Sequence, residues 1–239
     1  MPEILFYELL TTTPKKRAAC FCKLPDIENP VILIPNVGTL LRYEVENQIP
    51  CNPVTKVAIN ISDEFRVNFN KDLRNKNYTL SLKDTEKVER WNEKITNEVE
   101  DFRQSSAIVY HWFPSLAQYH PGQDSTIIED AESYIANDEK LIKGIYKEIR
   151  QSHFPISDMI SSKWTLFRWL QINLLAAVDY IRRFGPNNTS AKIKSIENDF
   201  HDVQYCITGV QVGALASLDR RVKNIFKKVC PEGFLLEEI

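Results

Sequence analysis

Residues 202–219, Asp202-Val-Gln-Tyr-Cys-Ile-Thr-Gly-Val-Gln-Val-Gly-Ala-Leu-Ala-Ser-Leu-Asp219, decide how the fold is read. An acidic helix entered through Glu197 and Asp199 runs into Gly213, a residue that readily takes the left-handed conformation at which helices stop. The small apolar run Ala214-Leu-Ala216 then reads as a buried strand with Ser217 and Asp219 at its end. Asp199 and Asp202 are three positions apart, so on a helix they share a face. An acidic helix face beside a strand end gathers oxygen donors at the carboxyl edge of a parallel sheet. Open α/β sheets place their sites at that edge, and a hard divalent cation needs such donors.

Downstream, a basic helix is expected over 220–229 and a closing strand over 234–236. Upstream, Gly185-Pro-Asn-Asn-Thr189 is a turn-rich linker. The middle, about 58–185, is helical by periodicity, with charged amphipathic helices expected over 82–102 and 124–150 and an apolar one over 164–183. It reads as an insertion or cap. The first 57 residues carry a basic turn at Lys15-Lys-Arg17 and then Val31-Ile-Leu-Ile34, a β-branched run between Pro30 and Pro35 that predicts a buried strand. Asn36 is the expected cap of a helix over 36–46 with Leu40, Leu41 and Val45 on its apolar face. Pro50 and Pro53 end that unit.

Composition sets wide bounds. The chain has 239 residues, is 43% hydrophobic and 26% charged, and carries a formal charge of −2, as expected of a soluble globular domain with a sizeable core. That balance leaves nucleic-acid binding to local basic patches. Five cysteines show no framework spacing and no cleavable signal opens the sequence, which together favour free thiols in a reducing cytoplasm. The four histidines and Cys20-Phe-Cys22 lack the paired spacings of structural zinc. The apolar helix over 164–183 is interrupted by Arg168, Gln171, Asn173 and Asp179 and suits a core rather than a membrane.

Asp202 to Asp219 resembles the PIN-domain nucleases, in which an acidic residue on a helix precedes a small-residue strand and a Ser/Thr-x-Asp tip. Val31 to Glu46 is similar to the family's second strand and helix, with Glu44 at the family's glutamate position and Glu46 on another helix face. The resemblance spans about 100 of the 239 residues, at the two ends. It departs from the family at the front, where no aspartate precedes Asp26, so the first-strand acid is either missing or replaced by Glu3 or Glu8. The fold it implies is a three-layer α/β/α domain with a mostly parallel central sheet, one domain over 1–239 enlarged by a helical insertion at about 58–185.

The activity implied is phosphodiester hydrolysis by a nuclease, with RNA favoured over DNA, using Mg²⁺ or Mn²⁺. Carboxylates clustered this closely raise one another's pKa unless a cation neutralises them, and the cation activates water and stabilises charge on the phosphate. Asp202, Asp219 and Glu44 would bind metal, Asp199 would support a second ion or the outer shell, Glu3 would be a fourth acid, and Ser217 would orient a carboxylate or water. Lys15, Lys16 and Arg17 on one side, with Arg220, Arg221 and Lys223 on the other, are candidate phosphate contacts. Tyr110, Trp112, Phe113, Trp164 and Trp169 could stack on bases, although aromatic residues in helical stretches more often build the core.

Blander readings stand beside these. Asp199 in a first helical turn is favoured by the helix dipole, Asp219 can simply cap the basic helix, and the cations can be a solvated face. A degenerate PIN-like module that binds nucleic acid without cutting is the alternative to an active nuclease. A partner such as an antitoxin on the helical insertion, a homodimer, and a toxin or defence role are compatible with the sequence.

Overall fold

In the computed structural model the described residues are 31–54, 108–122, 125–186 and 193–236 as continuous stretches, with 12–24, 26–27 and positions 1, 2, 5, 8, 9, 85 and 86. The elements in chain order are α1 (Pro14–Phe21), α2 (Val37–Asn47), α3 (Ile108–Trp112), a 3₁₀ turn (Pro114–Gln118), α4 (Thr126–Asn137), α5 (Glu139–Ile149), α6 (Thr165–Phe184), α7 (Ile193–Val212), β1 (Ala214–Ala216), α8 (Arg220–Val229) and β2 (Phe234–Leu236).

Helix α6 organises the core. Leu166, Phe167, Leu170, Ile172, Leu175 and Ile181 are all buried, and a helix that is apolar around most of its circumference has to be enclosed. It packs against α2, α3, α4, α5, α7 and α8. One continuous apolar cluster runs from Val37 through α6 to Val229, so the described helices of the middle region belong to the same core as the two ends. The helix expected over 82–102 lies outside the described residues apart from positions 85 and 86, which are helical.

Local chemistry sets the breaks. The helix expected over 124–150 is two helices, because Asp138 leaves helical geometry and its side chain accepts the backbone N–H of Lys140 (2.9 Å) and Leu141 (3.1 Å). It thereby ends α4 and caps α5. The Lys15-Lys-Arg17 segment is helical rather than a turn, since Thr13 caps α1 and Pro14 takes its first position. Asn36 caps α2, accepting from Thr39 at 2.9 Å, and Gly185 (φ 76°) and Gly213 (φ 71°) terminate α6 and α7.

Polar ties fix helices to one another. Buried Glu132 of α4 pairs with Arg182 of α6 at 2.5 Å and with Lys228 of α8. The Gln171 amide donates to the carbonyls of Ile135 and Ala136 at the end of α4, both at 3.0 Å, occupying carbonyls that a helix end leaves without intrahelical partners.

Strands β1 and β2 pair in parallel, with Ala214 opposite Phe234 and Ala216 opposite Leu236, joined through α8 as a parallel pair requires. The Tyr205 hydroxyl of α7 donates to the Ala216 carbonyl at 2.5 Å. The Val31–Ile34 run forms one parallel bridge, Ile34 to Pro2, rather than a longer strand, and the Ile34 N–H donates to the Met1 carbonyl at 2.8 Å. A cavity of about 290 Å³ separates this bridge from the β1–β2 pair. The architecture is thus mainly helical with parallel strand pairing, a mixed α/β fold. Among the described residues no helix is long and apolar enough to cross a membrane.

Candidate functional site

Helix α7 presents Asp199 and Asp202 on one face, as their spacing of three dictates. The helix starts at Ile193, so Asp199 lies in its second turn, beyond the free amides of the first. The dipole explanation for Asp199 therefore does not apply. Asp219 follows β1 and caps α8, its Oδ1 accepting the N–H of Arg221 (2.7 Å) and of Val222 (3.3 Å). Ser217 sets that turn, its Oγ accepting the Asp219 N–H at 3.1 Å.

All three aspartates meet one guanidinium. Arg221 Nη1 donates to Asp199 Oδ1 at 2.5 Å, and Nη2 lies 3.2 Å from Asp202 Oδ2 and 3.4 Å from Asp219 Oδ2. A second arginine completes the group: Arg183 reaches Asp199 Oδ2 at 2.5 Å and Asp179 Oδ2 at 3.0 Å. A cavity of about 20 Å³ lies between these side chains, about the room one water needs.

Electrostatics differ between the neighbours. Burial, and then the adjacent charge of Asp219, push Asp202 up to about 6, against the pull of Arg221. Burial would raise Asp219 too, but the backbone N–H and side chain of Arg221 outweigh it and hold that carboxyl below its ordinary value. Asp219 accepts from two backbone N–H groups, those of Arg221 and Val222, which favour the charged form. Asp179 is raised by burial despite Arg183 and Arg182. Arg221 is held firmly protonated, because the hydrogen bond and charge of Asp199 overcome its partial burial.

The other residues singled out from sequence fall in varied places. Glu44 is fully buried (0% exposed), and its two oxygens accept the backbone N–H groups of Cys51 (3.0 Å), Thr165 (2.7 Å) and Leu166 (2.9 Å). It closes the N-terminal end of α6, whereas Arg183 carries Asp199 at the other end, about 27 Å along the helix axis at 1.5 Å per residue. That separation removes Glu44 from the aspartate group. Glu3 lies outside the described residues. Glu8 bonds His201 Nδ1 at 2.8 Å, next to Asp202, and its charge adds to the rise of the Asp202 pKa.

Of the candidate phosphate contacts, Lys15, Lys16 and Arg220 are exposed and Lys223 is half-buried. Arg17 is 5% exposed, turned inward on α1, and Arg221 spends its guanidinium on carboxylates. Both leave the set of surface cations. Trp164 is buried in the core, and Tyr110, Trp112, Phe113 and Trp169 are half-buried and pack against that core. Sequence reading overlooked Asp179 and Arg183, although their spacing of four on one helix is that of an ion pair. All five cysteines are free thiols.

Carboxylate oxygens are the donor type that a hard divalent cation takes, and here each of the three aspartates is already bonded to Arg221. Among the described residues no three His, Cys, Asp or Glu side chains already stand as a metal-binding group. Around a planar guanidinium the carboxylates are spread wider than an ion's shell of about 2.0–2.6 Å allows. Comparison of the chain with protein-family models, with curated proteins and with solved structures finds no match.

Proposed function

We propose that this protein is a metal-dependent nuclease of the PIN-like type, hydrolysing phosphodiester bonds with RNA as the favoured substrate, and that its full sheet follows the three-layer PIN-like plan. One observation carries the reading: Asp199 and Asp202 of α7 and Asp219, just past the end of β1, converge on one cation, the guanidinium of Arg221. Asp202, Asp219 and Asp199 would hold Mg²⁺ or Mn²⁺. The bound ion would supply an activated water and offset the charge that builds on the phosphate oxygens.

The chain's own residues do the rest. Ser217 fixes the backbone of Asp219, and the α8 cap leaves Asp219 Oδ2 facing the position. Arg183 fixes Asp199 from behind. Asp202, its carboxyl pushed up to about 6 by burial and then by the adjacent charge of Asp219, is suited to take a proton from water. Exposed Arg220, Lys15 and Lys16 are available to phosphate oxygens.

A second reading is supported by the same guanidinium. If Arg221 permanently replaces the ion, the protein is a degenerate module that binds nucleic acid without cutting it. Incubating the protein with labelled single-stranded RNA and single-stranded DNA in Mn²⁺, Mg²⁺ or EDTA separates the two. Metal-dependent cleavage, lost in an Asp202→Asn/Asp219→Asn variant, is the expected result. Retention of substrate without cleavage in every metal supports the second reading instead.

A further inference from the structure

Helix α8 carries Arg220, Arg221, Lys223, Lys227 and Lys228 within ten residues and no acid, in a chain whose formal charge is −2. These cations divide into two sets. Arg221 is spent on Asp199, Asp202 and Asp219, and Lys228 on Glu132 of α4. Arg220, Lys223 and Lys227 follow the spacing i, i+3, i+7, which at about 100° per residue places them within about 60° of one another on a single flank. Asn224 borders them. Arg220, Asn224 and Lys227 are exposed and Lys223 is half-buried, while Val222, Phe226 and Val229 turn the other way into the core.

This flank works against its own helix. Arg220 and Lys223 stand in the first turn, at the positive end of the helix dipole. Arg220 with Lys223 and Lys223 with Lys227 are like charges at the two spacings that bring helical side chains together. A row of phosphates offsets both costs. The three cations run about 10 Å along the helix axis, which suits a linear polyanion better than one small anion. A bilayer fits less well, because a basic helix lying on a membrane inserts an apolar side and that of α8 is buried. A protein partner would need an apolar centre to its interface, and these four polar side chains provide none. We propose that the Arg220, Lys223 and Lys227 flank of α8, with Asn224, is a docking face for the sugar–phosphate backbone of nucleic acid. This rests on the nucleic-acid part of the reading above and needs no bound metal, since phosphate contacts position a strand whether or not it is then cut.

The test is fluorescence anisotropy of a labelled single-stranded RNA in EDTA over a salt series, with the full-length parent and three triple variants. Arg220→Gln/Lys223→Gln/Lys227→Gln is expected to bind at least about ten-fold more weakly at low salt, and to flatten the slope of log affinity against log salt by about 2, at about 0.7 for each phosphate contact. Arg220→Lys/Lys223→Arg/Lys227→Arg keeps the charges and should bind as the parent does. Lys140→Gln/Lys147→Gln/Lys163→Gln removes three exposed lysines elsewhere and should leave the slope in place. If the first variant is unfolded, its three single substitutions decide, each expected to remove about 0.7 of slope.

Parent-like affinity and slope in Arg220→Gln/Lys223→Gln/Lys227→Gln overturns the docking face and leaves nucleic-acid binding to other residues. An equal loss in Lys140→Gln/Lys147→Gln/Lys163→Gln overturns it too, reducing the effect to net charge. Capture of the parent by phosphatidylserine vesicles without RNA binding overturns it in favour of a lipid surface. Absence of RNA binding by the parent at every salt concentration overturns both the face and the nucleic-acid reading itself.

Discussion

The Glu44 carboxylate caps a helix 121 positions away, accepting the Thr165 N–H at 2.7 Å while its other oxygen takes the Leu166 N–H at 2.9 Å. Burial raises its pKa against the opposing pull of the Cys51, Leu166 and Thr165 amides. A charge is tolerated there because a helix N-terminus offers several donors together.

Glu44→Gln should therefore act on stability. A glutamine presents an NH₂ group to one of the amides now bonded by carboxylate, leaving a buried donor unpaired, and the cost is about 1–3 kcal/mol. Urea unfolding should show a lower midpoint with Mn²⁺ binding unchanged. Loss of Mn²⁺ binding at unchanged stability would instead return Glu44 to the proposed metal site.

Asp219 has two duties that substitution can separate. Asparagine is as good a helix cap as aspartate, whereas alanine costs about 1 kcal/mol. On the proposed function, Asp219→Asn should keep the unfolding midpoint and lose cleavage, and Asp219→Ala should lose both. Cleavage of labelled RNA in Mn²⁺ beside a denaturation curve reads the two effects. Full activity in Asp219→Asn would reduce the residue to a cap.

Much of this was legible in the sequence where one residue governs local geometry. Asn36 as a cap, Gly213 as a helix stop and the 220–229 helix all rest on short-range chemistry, and so does the shared face of Asp199 and Asp202. Partners set by tertiary packing were not legible. A glutamate eight residues into an apolar helix looks the same whether it awaits a metal or another helix's amides, and Glu44 meets the amides of α6. The spacing that marks Arg221 as a phosphate contact equally allows it to fold back onto Asp219. The Val31–Ile34 run has strand composition, but the number of strand bonds it makes depends on which segments lie beside it.

Asp202 gives a pH signature. Its carboxyl, pushed up to about 6 from an ordinary 3.8 by burial and by Asp219, binds its proton more tightly in the folded than in the unfolded chain. Its contribution to stability is complete below 3.8, declines as pH rises towards 6, and is gone above that. Asp202→Asn cannot lose a proton. In EDTA, the melting temperature of the variant relative to the parent should climb between those two values and then level off. A flat difference across that window would mean that Asp202 titrates normally. The opposite shift of Asp219 acts at lower pH and is shared by both proteins.

Two glycines predict effects of opposite sign. A Cβ on Gly144, within α5, meets no atom within 4 Å, so Gly144→Ala gains helix propensity and reduces unfolded-chain freedom, for about 0.5–1 kcal/mol of stabilisation. A Cβ on Gly233 comes 2.6 Å from Phe226 Cζ, 2.9 Å from its Cε1 and 2.7 Å from Cys230 Sγ. The Phe226 ring is 0% exposed and part of the central cluster, so it has nowhere to move. The Gly233 N–H also donates to the Cys230 carbonyl at 2.9 Å and the next N–H to the Gly213 carbonyl at 2.9 Å, which pins the backbone from the other side. Overpacking of this kind costs about 1–3 kcal/mol, exceeding any backbone-entropy gain. Gly233→Ala should lower the urea midpoint and loosen β2 from β1, seen as faster amide exchange at Phe234. Equal or greater stability in Gly233→Ala would show that α8 can shift to make room, and that the β1–α8–β2 unit is less tightly packed than its contacts imply.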